Sequence, residues 1–493
     1  MEGVFGALWQ GMSAVLAWPV PGWILAGVII GCVFGAIPGL TASLGIILVL
    51  PFIWGLDPAS ACAILLSIVA AVHCSNTFPA FFFNVPGSPS AAATILDGYP
   101  MAKKGEASKG LVAAFTVSAI GGIIGAMVLC AMFPVLRPFV LAFASPERFM
   151  LVMLGIVMIG VLSGQQPIKG LLAGAFGLLL STIGWDPQTG FPRYAFGQDY
   201  LLEGLSIVPL CLGLFALPEI ISLAARGQIA DEKASGGEIG TGFKSGMRAV
   251  LHHRFTVLRS SIIGVIGGAI PGIGGTASAF YAYAAAVRAA KNREGFGKGD
   301  IRGVIAPESA NNSSQGGELI PTLAFGVPGG VTTAVLLAAF MVLGIRPGPP
   351  MLGEYLWLSF SIVFILVISN VLAAIICIGV TKWVAQVAWI RGSVLIPFVL
   401  LFVLFGGFAS NPSAETAVVM LSFGALGYLM MRCEWPRVPL LIGFVLGGLA
   451  ENFLFLSVAS YGAAFLLRPL TLILLLLLLA VIVFGFVRRT AKT

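Results

Sequence analysis

The chain has 493 residues, of which 58% are hydrophobic and 10% are charged, and its formal net charge is +7. Its mean hydropathy is +1.02, so it lacks the polar residues that would cover the surface of a water-soluble protein. The positive charge is confined to a few loops and gives no argument for nucleic-acid binding. These values indicate a membrane protein without a sizeable soluble domain.

Apolar stretches recur along nearly the whole chain. Many reach about 20 residues, which is enough for a helix to cross about 30 Å of hydrocarbon. They are continuous rather than alternating, so they favour helices over the strands of a membrane barrel. The pattern predicts an all-α polytopic membrane protein in contact with the lipid bilayer, with roughly 10 to 14 membrane segments.

Two motifs occur twice, in the same order. The sequence GAIPGLTAS at residues 35–43 is matched by GAIPGIGGTAS at 268–278, and FPAFFFNVPG at 78–87 is matched by IPTLAFGVPG at 320–329. The stretch between the two copies is polar. We therefore predict a first membrane repeat over residues 1–225, a polar cytoplasmic linker over 226–254 and a second membrane repeat over 255–493.

Basic residues indicate how the two repeats lie in the membrane. They cluster at residues 103–109, 288–302 and 488–492, and the positive-inside rule predicts that these clusters and the polar linker face the cytoplasm. The loop after the first GAIPG motif, residues 51–57, has no positive charge, whereas the loop after the second is strongly basic. Equivalent loops on opposite faces predict two inverted-topology repeats.

The duplicated Pro-Gly pairs interrupt long apolar stretches. Residues 21–50 and 255–288 are each too long for one straight crossing, and each has a Pro-Gly pair near its middle. Proline removes a backbone donor and glycine allows positive φ. We expect a hairpin of two short helices at each place, with the tip at Pro38-Gly39 or Pro271-Gly272.

Broken helices offer binding groups inside a membrane. Their N-terminal N–H groups suit carboxylates, and their free carbonyls suit Na⁺. The predicted substrate ligands are the residues beside the breaks: Ser75, Asn76, Thr77, Asn84, Pro86, Gly87, Ser88, Asn311, Asn312, Pro328, Gly329, Thr332 and Thr333. The predicted Na⁺ ligands are Gly39, Thr41, Ser43, Gly272, Thr276, Ser278 and Asn312. The alternative for any one hydroxyl is a bond back to its own helix.

Ionisable residues in apolar surroundings are further candidates. Glu308, Glu318, Glu219 and Glu451 are each a possible proton or cation site, and the last two could equally lie in a wet loop. His73 precedes a polar cluster and is either a ligand contact or a structural residue. The chain shows no nucleophile–base arrangement and no metal-ligand spacing of its cysteines. We expect neither enzymatic activity nor a cofactor, apart from a coupling ion.

Several motifs resemble one known family, the large membrane subunit (TctA-like) of the bacterial tripartite tricarboxylate transporters. The resemblance is carried by NVPGSPSAAATILDGYPMAKKGEA at residues 84–107, FGKGDIRGVIAPESANNSSQGGELIP at 296–321, GIRPGP at 344–349 and the two GAIPG motifs. The chain departs from the family pattern at residues 75–79, at Glu318 and at Gly330-Val331. These departures leave the particular carboxylate open.

The resemblance implies a function that composition does not. Such subunits form the translocation path for organic carboxylates and are driven by a cation gradient, usually of Na⁺. They work with a small membrane subunit and a periplasmic solute-binding protein. We therefore expect a Na⁺-coupled importer of a tricarboxylate or of a related dicarboxylate or aromatic carboxylate. Coupling to protons and a carboxylate channel are the alternatives, and a homodimer of the complex stays open.

Overall fold

The computed structural model describes residues 2–162, 167–186, 188–226, 242–271, 274–387, 392–410 and 412–490. Helices dominate these ranges, and two short strands pair as one antiparallel ladder, β1 Gly184–Trp185 with β2 Pro192–Arg193. The predicted all-α polytopic class is confirmed.

The helices of the first half are α1 Glu2–Leu16, α2 Val20–Ala36, α3 Ala42–Val49, α4 Pro58–Ser75, α5 Thr77–Phe82, α6 Ala92–Lys103, α7 Ala107–Leu141, α8 Ser145–Leu162, α9 Pro167–Ser181, α10 Ile207–Cys211 and α11 Leu217–Arg226. Three 3₁₀ turns, Leu50–Phe52, Pro89–Ala91 and Asp199–Leu201, and a π-helical turn, Leu212–Ala216, lie between them.

The helices of the second half are α12 Gly242–His252, α13 Arg254–Ala269, α14 Gly274–Ala289, α15 Arg302–Phe325, α16 Val331–Val342, α17 Pro349–Leu352, α18 Leu356–Val387, α19 Gly392–Ser410, α20 Ala414–Arg432, α21 Arg437–Tyr461 and α22 Pro469–Thr490. A 3₁₀ turn, Gly462–Leu467, precedes α22.

Five helical segments of the described ranges are long and apolar enough to cross a bilayer: Pro58–Phe82, Ala107–Leu141, Leu356–Thr381, Ala414–Arg432 and Arg437–Leu467. A sixth is formed if α1 and α2, which meet at a bend of 69°, make one broken span. Several apolar helices are shorter than a full crossing, as expected where helices are interrupted within the membrane. The larger number of segments expected from the sequence stays a prediction.

The GAIPG motifs interrupt helices in both copies. α2 ends at Ala36 and α3 begins at Ala42, with Gly39 in the turn at a φ of +90°. The hydroxyl of Thr41 then caps α3 by accepting a hydrogen bond from the Leu44 N–H at 3.3 Å. In the second copy α13 ends at Ala269 and α14 begins at Gly274; Gly272 lies outside the described residues. The predicted breaks are confirmed.

The second motif breaks the helices again, and its backbone explains one difference between the copies. α5 ends at Phe82, and α15 ends at Phe325 before α16 begins at Val331. Asn84 and Gly326 hold the same motif position, and both have positive φ, 55° and 70°. Asparagine and glycine are the residues that tolerate this conformation best. The shared positive φ therefore explains why this motif position is Asn in the first copy and Gly in the second.

Glycines let the helix before each GAIPG turn, α2 or α13, pack tightly on a later helix. A Cβ on Gly27 or Gly31 of α2 would lie 2.6 Å from the carbonyl oxygen of Ile64 or Ile68 on α4. Gly264 and Gly268 of α13 abut the backbone of α15 in the same way. Close backbone approach through small residues is how helices associate in membranes.

The two halves of the chain are interlocked rather than separate. α4 packs against α18 of the second half, and α15 packs against α7 of the first half. The main hydrophobic core contains residues from both halves. The predicted repeat boundaries and the inverted orientation of the copies stay predictions, and this reciprocal packing agrees with a two-fold relationship.

The predicted linker, residues 226–254, is partly folded. Residues 227–241 lie outside the described ranges, Arg226 is the last residue of α11, and α12 and the first residue of α13 occupy most of the remainder. Gly242 and Gly246 of α12 lie directly against Ser108, Lys109 and Val112 of α7. The second part of this polar stretch is thus a helix that packs on the basic end of α7.

Candidate functional site

A cavity of about 970 Å³ lies where the interrupted helices meet. The beginnings of α3, α14 and α16 line it, together with the turn at residues 88–90. The first N–H groups of a helix have no partner within the helix and carry partial positive charge. Three helix beginnings at one cavity therefore favour an anionic ligand there.

Five of the predicted site residues line this cavity, and they come from both copies: Thr41, Ser43, Ser88, Thr276 and Thr332. The duplicated motifs lie more than 200 residues apart in the sequence, yet each places small hydroxyl side chains at the same cavity. Hydroxyls can donate to a carboxylate or offer an oxygen to Na⁺ without adding a charge. Their role in binding stays a prediction.

Glu318 places a carboxylate in the cavity wall. It accepts a hydrogen bond from the Gly275 N–H, at the start of α14, at 3.0 Å, and the Thr333 hydroxyl donates to its other oxygen at 3.4 Å. The side chain is almost fully buried, at 7% exposure. A carboxylate at a helix N-terminus is favourable. The Glu318 carboxylate therefore takes the place that an anionic ligand would have at the start of α14.

Arg437 brings a cation to the cavity lining. Its guanidinium donates to the carboxylate of Glu219 at 2.9 Å and to the Leu214 carbonyl at 3.2 Å. The Leu214 carbonyl lies in the π-helical turn. Both charged side chains line the cavity. A guanidinium keeps donors free after binding one carboxylate oxygen, so Arg437 can bind a second carboxylate.

The Ser75, Asn76 and Thr77 cluster lies behind the cavity wall. Ser75 donates to the carbonyl oxygens of Gly31 and Ala71, so it bonds helices together. Asn76 donates to the Ser88 hydroxyl at 2.6 Å, and thereby positions a residue of the lining. Gly87 packs against the backbone of Asn76.

Asn311 and Asn312 also lie outside the lining. Asn311 donates to the carbonyl of His73 at 3.0 Å, and Asn312 donates to the Asn370 side chain at 2.8 Å. His73 itself faces the cavity. The asparagine pair therefore joins α15 to α4 and to α18, and touches the cavity through His73.

The remaining predicted residues that the structure describes do not line the cavity. Asn84 and Pro86 are exposed. Gly39, Ser278, Pro328, Gly329 and Thr333 are not part of the cavity lining, and the Ser278 hydroxyl donates back to the Gly274 carbonyl at 2.7 Å. Gly272 lies outside the described residues. Glu451 lies on α21 and forms an ion pair with Arg193 on β2.

Arg437 is a charged lining residue that the sequence did not single out. It follows one long apolar helix, α20, and begins another, α21. Apart from Glu434, Arg437 is the only residue between Arg432 and Glu451 of the types Asp, Glu, Lys and Arg. An isolated arginine between two long apolar helices is a sequence signal for a functional cation. The clustered basic residues elsewhere indicate topology instead. The described residues hold no group of three or more His, Cys, Asp and Glu side chains that suits a metal ion.

Fold and cavity together define a multi-pass membrane protein with interrupted helices around a cavity lined by helix beginnings, small hydroxyls and charged side chains of both signs. Residues 22–442 match the tripartite tricarboxylate transporter TctA family. The chain belongs to that family, which implies a tripartite system with a small membrane subunit and a periplasmic binding protein.

Two relatives come from Agrobacterium vitis. An uncharacterized 52.8 kDa protein in the TAR-I ttuC′ 3′ region is 33% identical over 88% of this chain and 86% of its own length. An uncharacterized protein in the TAR-II ttuC′ 3′ region is 33% identical over 38% of this chain and 77% of its own length. No solved structure matches the chain.

Proposed function

We propose that this chain is the substrate-translocating subunit of a Na⁺-coupled secondary importer of organic carboxylates in the bacterial inner membrane. A periplasmic solute-binding protein delivers the carboxylate, and the chain moves it without chemical change. The proposal rests on membership of the TctA family and on one structural observation. Arg437 and three helix beginnings face one cavity of about 970 Å³.

The lining supports a carboxylate as the substrate. Helix N-termini and a guanidinium both favour negative charge, and the hydroxyls of Thr41, Ser43 and Thr332 supply neutral donors. The same lining contains Glu219 and Glu318, so its acidic side chains outnumber Arg437. A second negative charge from the substrate is then unfavourable unless a cation enters with it. This imbalance supports coupling to a cation.

Uptake into proteoliposomes tests the proposal. The chain is reconstituted with its small membrane subunit and the periplasmic binding protein, and labelled di-, tri- and aromatic carboxylates are offered under imposed Na⁺ or proton gradients. We expect accumulation that needs the binding protein and an inward Na⁺ gradient.

The gradients also separate the alternatives. Accumulation driven by a proton gradient without Na⁺ would replace Na⁺ by H⁺ as the coupling ion. Equilibration that never exceeds the outside concentration under either gradient would indicate a channel. An unchanged amount of carboxylate in liposomes with and without the chain would contradict transport altogether.

A further inference from the structure

Glu308 is a fully buried carboxylate that lies apart from the cavity. Its exposure is 0%, and it projects from α15 into the space between α6 and α7. Thr94 donates to one oxygen at 2.6 Å, and Ser118 donates to the other at 3.4 Å. Both oxygens therefore lie within hydrogen-bond distance of neutral hydroxyls.

No lysine or arginine in the described ranges forms an ion pair with this carboxylate. Cys74 of α4 is another titratable group near it. Burying an ionised carboxylate with only neutral partners is strongly unfavourable. The charge is thus either removed by a proton or balanced by a small cation.

Two further buried polar side chains lie at the same point. The side chains of Thr77 and Asn311 lie beside the Glu308 carboxylate, and their exposures are 0% and 1%. The Asn311 amide nitrogen also donates to the His73 carbonyl, and Thr77 Oγ1 has no other hydrogen-bond partner among the described residues. Carboxylate, hydroxyl and amide oxygens are the hard donors that bind Na⁺, and they are poor ligands for softer metals.

We propose that Glu308 is the anionic ligand of a Na⁺ site completed by Thr77 and Asn311, and that this site couples the ion to transport. The inference rests on the proposed function and deepens it. An ion bound there would stabilise the contact of α15 with α5, because the ligands come from these two helices. The site differs from the Na⁺ positions predicted at the Pro-Gly turns.

The site is linked to the substrate cavity by short hydrogen-bonded paths. The amide of Asn311 donates to the carbonyl of His73, and His73 faces the cavity. Asn76, the neighbour of Thr77, donates to Ser88 in the lining. Occupation of the cation site therefore acts on two cavity residues without direct contact between ion and substrate.

Na⁺-dependent thermal stability tests the site independently of transport. The chain, purified with its small membrane subunit, is titrated with NaCl at constant ionic strength, with KCl and choline chloride as the other salts, while its Tm is measured. We expect Na⁺ to raise the Tm of the wild-type protein where K⁺ and choline do not. Glu308→Gln should abolish this rise or increase its midpoint concentration at least tenfold.

A second variant and a matched control complete the test. Thr77→Val keeps the volume of the side chain but removes an oxygen, so its Na⁺ midpoint should also rise. Ser309→Ala is the control, because the Ser309 hydroxyl donates back to the Ile305 carbonyl on its own helix at 2.7 Å. It should titrate like the wild type. If Glu308→Gln fails to fold, the Na⁺ midpoint of Thr77→Val alone tests whether the site binds Na⁺.

The results distinguish this inference from the proposed function. A wild-type protein without a Na⁺-specific rise in Tm, or a Thr77→Val variant indistinguishable from Ser309→Ala, would overturn the site. Carboxylate exchange between equal inside and outside concentrations needs no net ion movement, so the wild-type protein and Ser309→Ala should both show it. Absence of exchange in the wild type would count against the proposed function instead.

Discussion

The guanidinium of Arg437 lies 2.9 Å from the carboxylate of Glu219 at the wall of the central cavity. The two residues are separated by 218 positions in the chain, and both side chains are partly exposed to the cavity, at 17% and 34%. Arg437 is the cation next to the proposed carboxylate path, and Glu219 holds its guanidinium through one N–H donor. Other donors stay available to a ligand.

Replacement of Arg437 should weaken carboxylate binding. A hydrogen bond to a charged group contributes roughly 1.5–3 kcal/mol, which corresponds to about 10- to 100-fold in affinity. We expect Arg437→Gln to raise the KM for uptake by at least about tenfold, and Arg437→Lys to give an intermediate value because lysine keeps the charge but loses the planar fork. Initial uptake rates over a range of substrate concentrations measure this.

Arg432→Gln is the matched control for that variant. Arg432 is exposed at the end of α20 and does not line the cavity. It should leave the KM unchanged. An Arg437→Gln protein with a wild-type KM would remove the guanidinium from the substrate path.

Removal of the Glu318 charge should change which carboxylates are accepted. Its carboxylate already occupies the start of α14 and repels further negative charge in the cavity. Glu318→Gln keeps the size and an acceptor for the Gly275 N–H. We expect this variant to bind the more highly charged carboxylates several-fold better relative to monocarboxylates. Competition of unlabelled mono-, di- and tricarboxylates with labelled substrate reports the order, and an unchanged order would contradict the prediction. The exposed Glu294→Gln is the control.

Asp97 should be important for stability rather than for binding. It is fully buried, and its oxygens accept from the N–H groups of Gly299 and Asp300 at 2.8 Å and from the Tyr283 hydroxyl at 2.9 Å. Asp97→Ala leaves these donors without a partner, at a cost of about 1–3 kcal/mol for a buried group. We expect a clear fall in Tm, measured by size-exclusion chromatography after heating. Tyr283→Phe removes a single bond and should lower the Tm less; equal losses would argue against the network.

The glycines of α2 should tolerate no side chain. A Cβ on Gly31 would lie 2.6 Å from the Ile68 carbonyl oxygen and 2.7 Å from the Ala71 Cβ. Gly31→Ala must push α2 away from α4, and such overpacking costs about 1–3 kcal/mol. Gly6→Ala on α1 is the control because nothing lies within 4 Å of its Cβ position. We expect a lower Tm for Gly31→Ala and an equal or higher Tm for Gly6→Ala, where alanine improves helix propensity.

Much of the fold could be predicted from local properties of the chain. Proline and glycine interrupt helices through their own backbone chemistry, so the breaks after Ala36 and Phe325 follow from the residues next to them. Asn84 and Gly326 show this most clearly, since the same positive φ explains both residue types. The partial folding of the linker as α12 was missed, because its helix is stabilised by packing on α7 rather than by its own apolar character.

The sequence by itself determined the membrane class, the places where helices break, and the family, because hydropathy, helix breaking and motif identity belong to short stretches of chain. The tertiary structure alone decided which polar residues face one another. Thr41 and Thr332 reach the cavity, whereas Asn312 binds Asn370 behind it. Glu308 meets Thr94 from a position 214 residues away. Such encounters depend on how α4, α7, α15 and α18 pack, and this packing is set by backbone contacts between distant segments rather than by any local pattern.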